Sequence, residues 1–331
     1  MRFLRPFFAL AAIVMLAGIT LAWWAHRPLR WSGAQVEFTI PPGTSVPAMA
    51  HEIGATGAPV SPVLFYLLAR VTHKGTHLQA GTYSLTQGTT PWQLLGKMER
   101  GDVVQIDLVI PEGWTFHQMR TAVAADPDLK QTVSTLSDSE LMRAIGAPES
   151  DPEGLFCPDT YRFARGTTDL EIYKRAYRTL QRRLAAAWAN RAPGLPLKSP
   201  YEALILASIV EKETARPEDR PLVAAVFMNR LERGMMLQTD PSVIYGMGDK
   251  FDGNLHKQDL LTDSPYNTYT HVGLPPTPIA LPGAAALAAT LNPPATDALY
   301  FVARGDGTSQ FSETLEDHNR AVSRFQRGGR S

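Results

Sequence analysis

The longest apolar run in the chain lies at its start. Phe7 to Ala25 reads FFALAAIVMLAGITLAWWA, about 19 residues without a charge, which is enough to cross the hydrocarbon core of a bilayer as a helix. Arg2 and Arg5 precede it, and His26, Arg27 and Arg30 follow. Trp23 and Trp24 close the run, where amphipathic rings favour the membrane interface. Both flanks are basic, so the positive-inside signal is weak. The pattern predicts an uncleaved anchor over 7–25, a short cytoplasmic tail over 1–6 and an exported body. The competing reading is a cleaved signal peptide. The length of the run and a tryptophan pair in place of a small-residue cleavage site argue against it. The next apolar stretches, Leu204–Val210 and Pro282–Leu291, are too short for a second span.

From Val36 to about Leu108, strand-like runs alternate with short helices. Three segments echo one another. Pro42-Gly43-Thr44-Ser45 precedes Val46–Ile53, Gln87-Gly88-Thr89-Thr90 precedes Pro91–Met98, and Glu112-Gly113-Trp114-Thr115 precedes Phe116–Val123. Each is a glycine turn, a Ser or Thr in N-cap position, and a short amphipathic helix. Strands are expected at Val36–Ile40, Gly81–Leu85 and Val103–Ile110. Either these are ordinary Gly-Thr helix starts, or they build a small strand–helix module of the kind that grips an extended polymer. Residues 124–150 read as a helical linker, and Glu171–Arg191 as a long helix with a basic face. The chain is helix-rich from Pro200 to Arg233 and loop-rich to Pro294. It closes with a strand at Leu299–Ala303 and a helix at Leu315–Phe325.

Composition removes several classes. Lys and Arg number 32 against 32 Asp and Glu, so no global basic field attracts nucleic acid. A hydrophobic share of 44% is that of a folded protein, not a disordered one. One cysteine, Cys157, rules out an intrachain disulfide and a cysteine-based zinc cluster. The histidines are scattered without metal-ligand spacing, so no metal and no cofactor are expected. HExxH, GxSxG, the P-loop and the Rossmann fingerprint are all missing.

Candidate chemistry gathers in Tyr201–Thr214, which reads YEALILASIVEKET. With Leu204 at 0° and about 100° per residue, Ile205, Leu206, Ile209 and Val210 cluster around 170°. Glu213 falls near 180°, within that face, and Glu211 near 340°, the address of a solvated charge. Burial of Glu213 would raise its pKa and make it a candidate general acid. The alternative is a helix that frays by residue 211 and exposes Glu213, since Pro217 restricts Arg216. The next helix is expected over Pro217–Arg233, with Pro217 at its first position and Gly234 as its stop. Arg230 lies in the apolar stripe of that helix, either snorkelling or paired with a carboxylate. The loops that follow concentrate Gln238, Thr239, Asp240, Ser242, Tyr245, Asn267 and Tyr269, a composition suited to a carbohydrate groove.

Five ordered motifs now become specific. They are ASIVEKET (207–214), FMNRL (227–231), LQTDPSVIYG (237–246), YNTY (266–269) and GLPP (273–276). Together with Gly81-Thr82-Tyr83, Pro158-Asp159-Thr160 and HNRAV near the C-terminus, the chain closely resembles the endolytic murein transglycosylase family, the YceG-like proteins. The resemblance implies an α+β fold: an N-terminal transmembrane helix, a small LysM-like glycan-binding subdomain at 36–110, a linker and helical support region at 111–200, and a helix-rich catalytic domain with long loops at 201–326. It implies a single-pass protein of the bacterial inner membrane with its body in the periplasm. The implied reaction cleaves the β-1,4 bond between N-acetylmuramic acid and N-acetylglucosamine inside nascent peptidoglycan strands, leaving a 1,6-anhydro-muramyl end. Glu213 matches the family's catalytic glutamate. Arg230, Gln238, Thr239, Asp240, Ser242, Tyr245, Asn267 and Tyr269 are the candidate substrate-binding residues, with Asp240 assigned to binding or to Arg230. Peptidoglycan synthases, the penicillin-binding proteins, are the expected partners. Two other functions stay in view: a hydrolytic muramidase, and a non-catalytic wall-binding scaffold.

Overall fold

The computed structural model describes residues 4–33, 35–214 and 216–327. The tail expected over 1–6 falls partly on residues 1–3, Arg2 among them, which lie outside the described residues. The chain mixes helices with small sheets and divides into two compact units, Met1–Asp107 with Arg162–Thr167, and Leu108–Tyr161 with Thr168–Ser331.

In the first unit the apolar run forms α1 (Leu4–His26). Its stretch Phe8–His26 is long and apolar enough to cross a membrane, with a mean hydropathy of 2.1. Its side chains are exposed over most of that length, yet Ala25 is wholly buried. There follow β1 (Gln35–Ile40), α2 (Val46–Ala55), α3 (Pro62–Val71), β2 (Gly81–Thr86) and α4 (Pro91–Arg100). β1 and β2 pair antiparallel from Gln35↔Thr86 to Ile40↔Gly81, with the two helices between them in sequence. Period-2 alternation sends Phe38 and Ile40 inward, where Phe38 stacks on its cross-strand partner Tyr83 at 5.7 Å. Ile53, Phe65, Leu94, Leu95 and Met98 complete this core, and Ala25 and Leu29 carry the end of α1 into it. β3 (Gln105–Ile110) belongs to this unit through Asp107 and to the second from Leu108.

The second unit holds α5 (Phe116–Ala125), α6 (Asp138–Ile145), β4 (Asp159–Ala164, its start), α7 (Asp169–Ala189), α8 (Pro200–Glu213), α9 (Arg220–Glu232), α10 (Asp240–Met247), α11 (Lys257–Leu261), α12 (Ala284–Leu291), β5 (Tyr300–Ala303), β6 (Ser309–Ser312) and α13 (Leu315–Val322). β3 pairs with β4, and β5 with β6 antiparallel.

All three echoed glycines, Gly43, Gly88 and Gly113, adopt positive φ, and Ser45, Thr90 and Thr115 stand at N-caps. Thr90 and Thr115 each form a full capping box with a glutamine three residues on, whereas Ser45 makes no side-chain cap bond. Other expectations shift. The linker 124–150 is one short helix, α6, flanked by loops. α9 starts at Arg220 rather than Pro217, and Pro221 takes the first-turn position, so Glu218 lies outside the helix. The loop-rich stretch after Arg233 contains three further α-helices among the described residues, α10, α11 and α12. Asp240-Pro241 begins α10, with the proline in its first turn.

An aromatic cluster ties α5 to α7. Phe116 stacks on Phe156 at 5.1 Å, and Phe156 meets Tyr173 edge-on at 5.7 Å. Gly154, at φ 75°, lets this segment touch Pro278: a Cβ there would lie 2.2 Å from the proline Cβ. Phe156 has no exposed surface. Phe156→Ala is therefore expected to cost about 3–5 kcal/mol in chemical denaturation, while Leu261→Ala, on the surface, should stay within about 0.5 kcal/mol. Equal effects of the two would contradict this packing.

Candidate active site

The site is built on the end of α8. Ser199 caps the helix by accepting the Glu202 N–H at 3.2 Å, and Pro200 occupies the first turn. Ala203 through Val210 are all buried, so α8 runs through the core with no solvent face over that length. The helix does not fray at residue 211; it ends at Glu213, and Thr214 turns out in an extended conformation.

Burial on every side changes the reading of Glu211. Its side chain is 8% exposed and is not a solvated charge. It accepts the Gly283 N–H at 2.9 Å, at the N-cap of α12, and lies 3.6 Å from Arg220. A carboxylate at a helix N-terminus is favoured there by the macrodipole. Desolvation nonetheless raises its pKa, opposed by the Gly283 bond and Arg220. The Glu112 carboxyl packs over Gly283, so a Cβ there would have to displace that side chain. The first glutamate of the EKET motif thus fastens α8 to α12.

Glu213 has a different setting. It lines an open cleft of about 570 Å³ together with Arg230, Gln238, Asp240, Tyr269, Tyr300 and His318. The Thr239 hydroxyl donates to Glu213 Oε1. Burial pushes its pKa up to about 7, with Asp240 adding to the rise and Thr239 and Arg230 opposing it. Its place in the last turn of α8, at the negative end of the helix dipole, acts in the same sense as burial.

The loop that carries Thr239 is held from both sides. Arg230 donates to Leu299 O at 2.7 Å, Met236 O at 3.1 Å, Leu237 O at 3.0 Å and Gln238 Oε1 at 3.2 Å, and lies over the Tyr300 ring. It neither snorkels nor pairs with a carboxylate: its donors go to three backbone carbonyls and the Gln238 amide oxygen. Asp240 instead accepts the Tyr269 hydroxyl at 2.5 Å. On the other side, Thr239 N donates to Thr268 Oγ1 at 3.0 Å, and Ser242 Oγ donates to Thr239 O at 2.8 Å. Gln238 takes φ 53°, a left-handed conformation uncommon outside glycine, as the chain turns into this network.

Of the sequence candidates, Glu213, Arg230, Gln238, Asp240 and Tyr269 meet at the cleft. Thr239, Ser242 and Asn267 are buried beneath the surface, and their hydrogen bonds go to the protein. Asn267 Nδ2 bonds the Thr262 carbonyl at 2.7 Å, and its Oδ1 receives the Tyr269 N–H at 2.9 Å, so it sets the loop that presents Tyr269. Tyr245 points elsewhere and donates to Glu153 Oε2 at 3.2 Å. Glu153 is buried, accepts the Phe116 N–H at the start of α5, and is pushed up to about 7 by desolvation. Tyr300 and His318 were not singled out from the sequence. They stack at 5.2 Å in the wall of the cleft, and burial, then Arg230, lowers the His318 pKa. The HNRAV motif held the signal for His318. Cys157 is buried, and desolvation raises its thiol pKa, which does not suit a nucleophile. Among the described residues, no group of three or more His, Cys, Asp or Glu is placed to hold a metal ion.

Linkage gives this setting a measurable sign. Folded Glu213 keeps its proton to about pH 7, while the unfolded chain ionises near its ordinary value of 4.5. Its contribution to stability is full below pH ~4.5 and is lost as pH rises through ~7. Glu213→Gln, which cannot ionise, should match the wild type near pH ~4 and exceed it by at most about 3 kcal/mol at pH ~8. Calorimetric melting at the two pH values checks this. A variant less stable than wild type at the higher pH would contradict a desolvated carboxyl.

Comparisons with known proteins agree with one another. The model of the YceG-like family matches residues 38–324. An endolytic murein transglycosylase of Bacillus subtilis is 32% identical over 312 residues, covering 89% of this chain and 86% of the relative. One from Streptococcus pneumoniae is 30% identical, covering 86% of this chain but 57% of that longer protein. A crystal structure of a YceG-like protein from Listeria monocytogenes superposes with a TM-score of 0.55 at 31% identity, covering 87% of this chain and 99% of that one. The family model spans well over half of the chain, and relatives align along most of it: the chain belongs to the YceG-like family.

Proposed function

We propose that the protein is an endolytic lytic transglycosylase of peptidoglycan, with Glu213 as its single acid and base. The observation that carries this reading is a carboxyl that keeps its proton near neutral pH at the mouth of an open, polar-lined cleft. The names of the Bacillus and Streptococcus relatives supply the substrate class.

The reaction needs one proton carrier. Protonated Glu213 donates to the glycosidic oxygen as the bond from muramyl C1 to that oxygen breaks. The resulting carboxylate then accepts the proton of the C6 hydroxyl as O6 bonds to C1 of the same ring. No water enters, so the second carboxyl of ordinary glycosidases is not required. Attack within one ring gains from proximity. The Thr239 hydroxyl occupies Oε1 and leaves Oε2 for the substrate. Gln238, Asp240 and Tyr269 would hydrogen-bond and stack against the sugars, while Arg230 holds their loop. The cut would limit elongation of nascent strands. In this reading α1 is retained as the anchor in the inner membrane, the body lies in the periplasm beside penicillin-binding proteins, and the β1–α2–α3–β2 unit is a LysM-like grip on glycan.

The test is mass spectrometry of products from uncrosslinked glycan incubated with the full chain. Wild type should yield 1,6-anhydro-muramyl ends, one water lighter than hydrolytic ends. Glu213→Gln should lose about 10²–10⁴-fold in rate. The kcat/KM should fall as pH rises through about 7, because the first step needs the protonated acid. Reducing ends would reassign the protein to muramidase chemistry, and intact glycan to a scaffold.

A further inference from the structure

The first unit carries an exposed apolar face that none of the preceding roles uses. α3 reads PVLFYLLARV. Phe65, Leu68 and Ala69 enter the core, while Val63, Leu67 and Val71 are 67%, 40% and 66% exposed. At about 100° per residue the three exposed side chains fall within ~80° of one another, on the side away from the buried three. The helix is thus apolar on both its buried and its outer face, with Arg70 at the edge of the outer one. The segment Gly57–Thr72 carries no acidic residue and one base, Arg70.

That face lies beside the end of the apolar helix. α3 and α4 both pack on α1. Trp92, at the start of α4, is 39% exposed and stacks on His26, the last residue of α1, at 5.5 Å. Pro59, just before α3, lines a cavity of about 400 Å³ with Trp24, Arg27 and Arg30. Ala25 and Leu29 sit in the core of the unit, so α1 enters it without a free linker. A helix that leaves a bilayer at Trp24 therefore brings α3 close to the same interface. Arginines and tryptophans at that level are the side chains that headgroups and the acyl boundary accommodate.

We infer that the exposed face of α3, Val63, Leu67 and Val71 with Trp92, docks on the outer leaflet of the membrane that α1 spans, with Arg27 and Arg30 at the level of the lipid phosphates. The inference rests on α1 being retained as an anchor. It gives α3 the role of an interfacial helix that holds the whole β1–α2–α3–β2 unit against the lipid surface. Glycan bound to this unit would then be held close to the membrane.

The test uses the full chain in vesicles of phosphatidylethanolamine and phosphatidylglycerol. Spin labels are placed singly at Val63→Cys, Leu67→Cys and Val71→Cys, with Leu16→Cys reporting the span and Gln105→Cys an exposed polar strand. Cys157 is buried and stays unlabelled. Accessibility to oxygen relative to a water-soluble nickel complex is then measured. Docking predicts that this ratio at positions 63, 67 and 71 is several-fold above that at 105 and below that at 16. A high ratio at 16 with values at 63, 67 and 71 equal to 105 overturns the docking and leaves the anchor standing. A low ratio at 16 overturns both. Exclusion of both reagents from position 67 means that protein, such as a second copy, covers the face, and also overturns the proposal.

Discussion

Everything at the cleft depends on one helix whose middle has no solvent face. α8 is buried over eight consecutive residues, and the two glutamates that follow inherit most of that burial. Two carboxyls two residues apart meet opposite solutions. Glu211 receives a backbone N–H at the start of α12 and a nearby arginine, which oppose its desolvation, and it becomes a fastener. Glu213 receives one hydroxyl and the mouth of a cleft, so the cheaper course is to keep its proton. A proton kept near neutrality is the property a general acid needs.

The supporting loop extends the same logic. A buried arginine ordinarily calls for a carboxylate, but Arg230 spreads its donors over three carbonyls and an amide. The charge therefore stays near Glu213 without neutralising it. The Thr239 backbone is then fixed by hydrogen bonds through Thr268 and Ser242, and its hydroxyl is turned to Glu213. Ser242 and Asn267 belong to that scaffold, and Gln238, Asp240 and Tyr269 to the surface it presents.

Local physics made much of this readable in advance. The apolar run, the strand at Val36–Ile40, the caps at Thr90 and Thr115 and the glycine stop after α9 depend on neighbours within a few residues. Helical phase placed Glu213 on an apolar face for the same reason. The burial of Glu211 was not readable, because phase assumes that one side of a helix meets water, and its partner Gly283 lies 72 residues away. α10 and α12 were hidden by proline and by a run of small residues that carry little periodicity. Tyr300, on β5, and His318, on α13, reach the cleft only through tertiary packing, 87 and 105 residues beyond Glu213, so no local pattern tied them to it.

The most direct measurement is the titration of the Glu213 carboxyl itself. Infrared difference spectra of the folded protein, wild type minus Glu213→Gln, isolate this group from Glu153 and Glu211 across the pH range. Loss of the protonated carboxyl band with a midpoint near 7 is the expected result. A midpoint near the ordinary value of 4.5 would mean that Glu213 is charged at neutral pH, and would contradict its role as the acid.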